Sequence, residues 1–344
     1  MSPSAPLNAA ALHTPMLDLL QCRYPIMLAG MGGVARSGLA AAVAHGGGFP
    51  VMGMVREPVA LLEREVAALR AATSEDLHFA INLIPASDSP QHVQAQIAAC
   101  LRLRVPAVVL FWEVDSALVC QLKAEGVQVI HQIGNRRDAQ MALDAGCDAL
   151  VVQGYDAGGH VRGMVPTLTL LPEIVALAGS VPVAASGGIA SGQALVAALA
   201  LGAQAVSMGS AFVATHESFA HPYHRQCLVD AHAEDTVHTT IFARNWTITA
   251  PVRVLPNAVT RGEYANLSEA EKNQPIAYQD GGQPIYLFST DSPAVDATGR
   301  IEDMAIYAGQ SVGQIYAICS AAQRIDSIMQ EARACLGAAT ATAV

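Results

Sequence analysis

Several chemistry-bearing residues of this chain stand directly behind glycines. Asp156-Ala157-Gly158-Gly159-His160 ends in a histidine, and Ser186-Gly187-Gly188 and Met208-Gly209-Ser210 follow in order. Earlier comes Ala29-Gly30-Met31-Gly32-Gly33. Glycine lets backbone N–H groups approach a ligand and point at one anion, so two glycine loops in consecutive units suit a phosphate held by Ser186, Gly187, Gly188, Gly209 and Ser210. The competing reading is plain turn glycines. The run Ala29, Gly30, Met31, Gly32 offers either a platform for a flat ring or a flexible turn. Asn82 interrupts the apolar run Phe79–Leu83, and Gln132 and Gln153 close two further apolar runs. Buried amides need partners, here a ring edge or a neighbouring loop. Gly158 and Gly159 put no side chains beside His160, which implies that something approaches it closely. A neutral imidazole accepts a proton from carbon or donates a hydrogen bond to an oxyanion.

Other chemistries are disfavoured. Of 19 basic residues only Lys123 and Lys272 are lysines. Neither follows a glycine loop as a phosphate-loop lysine would, and neither sits at a strand end as a Schiff-base lysine would. His216, His221, His224, His232 and His238 suggest a metal, but no HExxH occurs and Cys227 has no CxxC partner, so a solvated polar segment is expected and no metal. The seven cysteines are scattered and read as free thiols in a reducing compartment. A net charge of −10 without a basic run argues against nucleic acid and anionic membranes. The first twenty residues lack a basic stretch and are broken by Pro3, Pro6 and Pro15, so no signal peptide is expected. The apolar runs are short, so no membrane span is expected and the location is taken as cytoplasmic.

The elements that must carry these loops are regular. Short apolar runs lie at Ile26–Ala29, Phe49–Gly53, His78–Leu83, Ala107–Phe111, Gln128–Ile133, Ala149–Gln153, Val183–Ser186 and Ala205–Met208, with helical patterns between them. Runs of this kind are buried on both faces, and strand–helix alternation means parallel βαβ units. Eight units close a (β/α)8 TIM barrel, the alternative being an open doubly wound sheet. The barrel domain is drawn at 1–215. A smaller, mostly helical or irregular substrate domain follows at 216–300, rich in proline. A C-terminal segment at 301–344 returns to the barrel, with one long helix over Gln310–Leu336 and a frayed tail from Gly337.

The glycine loops, Ile81-Asn82-Leu83, Arg253-Val254-Leu255-Pro256-Asn257 and Ala308-Gly309-Gln310-Ser311-Val312-Gly313 together resemble the nitronate monooxygenases, formerly 2-nitropropane dioxygenases, from Pro25 to Ile325. The resemblance implies an FMN-binding TIM barrel that oxidises alkyl nitronates or nitroalkanes with O2 to a carbonyl compound and nitrite. Gly30, Met31 and Gly32 would lie at the flavin ring with Asn82 at its polar edge. Gly187, Gly188, Gly209 and Ser210 would hold the phosphate, and His160 would be catalytic. The chain departs from the family pattern at Asp156 (often Glu), at Ser210 (often Thr), and in having Val161 and Arg162 before the next glycine. Related FMN barrels reduce quinones or enoyl thioesters with NAD(P)H, and a flavin- or phosphate-binding module without turnover is a further alternative. Expected partners are a small-molecule substrate and O2, and a homodimer stays open.

Overall fold

The computed structural model describes residues 12–342, with side chains as far as Ala338. Most of the N-terminal stretch read for a signal peptide, residues 1–11, lies outside the described residues. The barrel strands are Ile26–Leu28 (β1), Val51–Gly53 (β2), Ala80–Leu83 (β3), Ala107–Phe111 (β4), Gln128–Ile133 (β5), Ala149–Gln153 (β6), Val183–Ser186 (β8) and Ala205–Met208 (β9). The two-residue strand Gly159–His160 (β7) lies outside the barrel. Barrel neighbours pair in parallel, β1 against β9 at one seam. At the other, parallel bridges Met27–Phe49 and Gly32–Gly53 bring β1 to β2 and close the ring.

The interior is layered. Met27, Phe49, Val51, Ala80, Ala107, Val109, Ile130, Ala149, Val151, Ala184 and Ala205 form an apolar cluster, which Met16 and Leu20 of helix α1 (Pro15–Leu20) plug from below. Two residues further along six of the eight strands stand Asn82, Phe111, Gln132, Gln153, Ser186 and Ser207, five of them polar. Successive side chains point to opposite faces, so these six stack directly above the apolar layer, at the C-terminal mouth.

Helices α2 (Ser37–Gly46), α3 (Val59–Ala72), α4 (Pro90–Arg102), α5 (Ser116–Ala124), α6 (Arg136–Asp144), α7 (Thr167–Ala178) and α8 (Gly192–Ala200) ring the barrel. A one-turn helix, α9 (Ser210–Val213), follows β9, and α10 (Pro222–Asp230) comes next. Beyond it, Val237–Thr239 (β10) pairs with Val252–Val254 (β11), and β11 pairs in turn with β7. After the short helix α11 (Glu269–Lys272), Pro275–Gln279 (β12) pairs with Gln283–Tyr286 (β13) and Thr298–Gly299 (β14). The segment expected to be helical or irregular thus carries two small antiparallel sheets. Their shared core includes Phe242, Val252, Val254 and Ile276, and it continues past position 300 through Ile301, Met304 and Ala305.

The long C-terminal helix starts later than its periodicity suggests. Gln310–Gln314 is a 3-10 turn between Gly309 and the extended Ile315, and α12 runs from Ala321 to Thr342. Val312 and Ile315 are buried, but in this turn rather than on one helix face with Ile325. The tail expected to fray from Gly337 is helical as far as it is described. Ile325, Ile328, Met329, Ala332 and Leu336 are buried at helical spacing. A Cβ at Gly192 would strike the α12 backbone at Ala332, so α8 can lie close to α12 only with glycine there.

Candidate active site

The loops at the barrel mouth enclose a cavity of about 370 Å³, within the usual size of a small-molecule site. Ala29, Gly30, Met31, Gly32, Asn82, Gln132, Gln153, Gly158, Gly159, His160, Ser186, Gly187, Gly188, Gly209 and Ser210 all line it.

The two glycine loops leave donors exposed to this space. Gly187 and Gly188 have φ of 111° and 69°, a region that side-chain residues rarely adopt. A Cβ on Gly188 would collide with the Asp156 carboxylate. That carboxylate accepts from the Thr167 backbone N–H at 2.9 Å and its hydroxyl at 2.7 Å. Gln314 clamps the same loop by donating to the Gly188 carbonyl at 2.8 Å and accepting from the Ala190 N–H at 3.1 Å. The N–H groups of Gly187, Gly188, Gly209 and Ser210 find no protein acceptor among the described residues. Ser210 Oγ accepts from the Gly309 N–H at 3.0 Å, which leaves its own proton free to donate. Unsatisfied donors on two loops facing one cavity fit an anionic group such as a flavin phosphate.

Other glycines have reasons internal to the protein. A Cβ on Gly30 would strike Asn82, whose Nδ2 donates to the Val109 carbonyl at 3.0 Å. Gly158 is in backbone contact with Gly309. Gln153 gives its amide to the loop beside it. Nε2 donates to the His160 carbonyl at 2.8 Å, and Oε1 accepts from the Arg162 N–H at 3.1 Å. Its side chain therefore positions His160.

His160 is placed from two sides, by Gln153 of the barrel and by its pairing with Val252 in β11. Something does approach it, but from within the chain. The Trp246 ring stacks on the imidazole at 3.5 Å and 10°. Trp112 meets it edge-on at 6.3 Å, and Tyr307 lies at 6.0 Å. Burial, and then the Arg56 charge, push the His160 pKa down to about 3. Its Nε2 is buried and has no partner among the described residues. The ring is thus neutral at physiological pH, and no carboxylate bonds to it to stabilise a protonated form.

Sequence reasoning missed several lining residues. Trp246, one of only two tryptophans, carried a compositional signal. Ser207 was legible from the two-residue period of β9. Arg56 was not: it takes φ 59° and points to Asp291 and Thr290 at 3.4 and 3.5 Å. Glu57, Asp280 and Asp291 also line the cavity, at its junction with a second groove of about 860 Å³ that reaches Asp296, Arg36 and Arg64.

The expectation of a solvated histidine segment fails at His224 and holds only in part at His238, which is half-buried. His224 is fully buried in α10, with Nε2 at 2.8 Å from the Tyr307 carbonyl. His238 Nε2 is buried, and its ring lies 4.7 Å from Tyr155. Among the described residues no three His, Cys, Asp or Glu side chains gather as a metal site would need, and no helix is long and apolar enough to cross a membrane. All seven cysteines are free.

Comparison with known proteins places this geometry. The (3aS,4S,5R,7aS)-5-hydroxy-7a-methyl-1-oxo-octahydro-1H-indene-4-carboxyl-CoA dehydrogenase of Rhodococcus jostii (strain RHA1) is 36% identical over 210 residues, 61% of this chain. That match spans only 57% of the dehydrogenase's own length. A probable nitronate monooxygenase of Staphylococcus aureus (strain Newman) is 30% identical over 271 residues, 66% of this chain and 75% of that protein. FabK from Thermotoga maritima superposes with a TM-score of 0.80 at 30% identity, over 96% of this chain and 99% of that one. A nitroalkane oxidase from Streptomyces ansochromogenes superposes with a TM-score of 0.75 over 94% and 99% of the two chains, and at 23% identity it speaks to the fold alone. The family described as nitronate monooxygenase matches from residue 13 to residue 331, through every loop of the barrel mouth, and the chain therefore belongs to this family of oxidoreductases.

Proposed function

We propose that the protein is an FMN-dependent oxidase of small alkyl nitronates, forming a carbonyl compound and nitrite with O2. The observation that carries this reading is the half-buried, neutral imidazole of His160, whose buried Nε2 has no partner in the same cavity as the unsatisfied loop N–H groups. Gly187, Gly188, Gly209 and Ser210 would hold the FMN phosphate. Ala29, Gly30, Met31 and Gly32, with Asn82 and Gln132, would flank its ring. Bound FMN supplies the electron transfer between nitronate and O2.

The remaining contributions belong to the chain. In the tautomer with its hydrogen on Nε2, neutral His160 would donate to a nitronate oxygen, and the Arg56 guanidinium adds a favourable field for an anion. Trp112 and Trp246 keep water from the imidazole face. With a pKa of about 3, His160 is a poor proton acceptor, so a substrate that arrives already deprotonated suits this site better than the neutral nitroalkane.

A second reading has support of its own. The likeness to a carboxyl-CoA dehydrogenase favours electron exchange with NAD(P)H and an acyl thioester, and the second groove has room for a long ligand. Against it, Glu57, Asp280, Asp291 and Asp296 outnumber Arg36 and Arg64 along that groove, an arrangement that repels polyphosphates. The deciding experiment measures oxygen uptake and nitrite release with a nitronate beside NAD(P)H oxidation with a quinone or enoyl thioester. Nicotinamide-linked turnover without nitrite would overturn the proposal.

A further inference from the structure

We propose that His224 and Ser292 form a second recognition point in this cavity, one that binds a hydroxyl group carried by the substrate at a distance from its reacting carbon. The inference rests on the reading of the cavity as the substrate site and names the substrate class more closely: a hydroxylated nitronate rather than a plain alkyl one.

The argument starts with the proton on His224. Its Nε2 lies 2.8 Å from the Tyr307 carbonyl oxygen, which can only accept, so Nε2 carries the hydrogen. The ring is fully buried, and burial keeps it neutral, its pKa pushed down to about 4. Nδ1 is therefore a bare lone pair, and this buried atom has no partner among the described residues. Ser292 is 7% exposed, and its Oγ is likewise buried and unpartnered. Its neighbours are committed elsewhere. Ser289 donates to Asp291, Thr290 bonds Asn245, and Asp291 takes the Asn245 amide at 2.7 Å. An unmade hydrogen bond at a buried polar atom is costly. Both residues line one cavity, and two unpartnered polar atoms just behind its wall point to a missing ligand group.

The two side chains come from joined backbone. The His221 N–H donates to the Pro293 carbonyl at 2.9 Å, and Ala220 bridges Ala294. Tyr307 ties both sides again: its carbonyl takes His224, and its hydroxyl donates to the Thr290 carbonyl at 2.7 Å. Both His224 and Ser292 line the cavity that holds His160.

The lone pair on Nδ1 selects the ligand. Phosphate and carboxylate oxygens are acceptors and repel it. A hydroxyl donates to Nδ1 and also suits Ser292, which can give or take a hydrogen bond. An ammonium group would donate as well, but it cannot accept from Ser292, so a hydroxyl alone can use Ser292 in either direction.

The test uses the flavin-loaded protein and a short chain-length series of nitronates made from ω-nitroalkan-1-ols, each paired with the nitronate of the unbranched nitroalkane. The wild type should favour the hydroxylated member of the best-fitting pair by about tenfold in kcat/KM, as one well-made hydrogen bond allows. Ser292→Ala and His224→Gln should each bring that ratio close to one; glutamine keeps a donor for the Tyr307 carbonyl, so the fold has a second safeguard. FMN affinity is measured on the same variants. A ratio near one in the wild type, or an unchanged ratio in both variants, overturns the proposal. So does weakened FMN binding with the hydroxyl preference intact, because the two atoms would then serve the cofactor. If neither nitronate is oxidised, the nitronate-oxidase reading fails. The same ratio, read by calorimetric binding of the two compounds, then decides the hydroxyl site separately.

Discussion

Acidification from about pH 7.5 to 5 should weaken the folded protein through two imidazoles that burial keeps neutral. In the unfolded chain each titrates near 6.5, whereas in the folded protein His160 lies at about 3 and His224 at about 4. Above 6.5 neither ring is charged in either state, and their effect on stability vanishes. Below it the unfolded chain binds the protons first, so stability falls until the folded pKa is reached. Linkage gives a loss of about 2 kcal/mol from each ring at pH 5 relative to pH 7.5. His160→Phe keeps a flat ring against Trp246 and cannot be protonated, so its stability should fall by about 2 kcal/mol less over the same interval. Urea unfolding of the flavin-free protein at both pH values reads this difference, with no contribution from the titrating FMN phosphate. An identical acid loss in wild type and His160→Phe would mean that the ring is not held neutral by burial, and the argument against a base role would fall with it.

Three further outcomes follow from the same geometry. His160→Asn should retain FMN and slow a nitronate and its parent nitroalkane by similar factors; a loss confined to the nitroalkane, of the 10²–10⁴ that general bases typically contribute, would restore His160 as the base. Gly209→Val adds a side chain where only Met31 Sδ at 3.5 Å and Ala29 Cβ at 3.8 Å are near, so the fold should survive while FMN affinity drops tenfold or more by equilibrium titration; normal flavin occupancy would place the phosphate elsewhere. Gly188→Ala, by contrast, strikes Asp156 at a φ of 69° and should cost about 1–3 kcal/mol in chemical denaturation in addition to flavin affinity; an unaltered midpoint would show that the loop relaxes freely.

Periodicity and glycine spacing determined much of this protein in advance. Short apolar runs cannot alternate with helical patterns eight times without forming buried parallel strands, and the loops after such strands must meet at one end of the barrel. That is why Ala29 to Gly32, Asn82, Gln153, Gly187 and Gly209, far apart in sequence, were legible as one group. The roles of individual residues were not legible, because they depend on neighbours contributed by distant segments. Gly30 serves Asn82 and Gly188 serves Asp156, while Gln153 spends its amide on the loop of His160. The Gln310–Leu336 pattern was read as one helix because the burial of Val312 and Ile315 mimics helical spacing, although Gly309 packs on the Gly158 loop and Gly313 on Ala233. His224 looked solvated among polar neighbours, and only the packing of α10 beneath Tyr307 buries it. The protonation of His160 is likewise a tertiary property. It follows from Trp246 stacking on the ring, Arg56 lying nearby and the absence of a bonded carboxylate, and burial in such surroundings costs a charged imidazole more than it costs a neutral one.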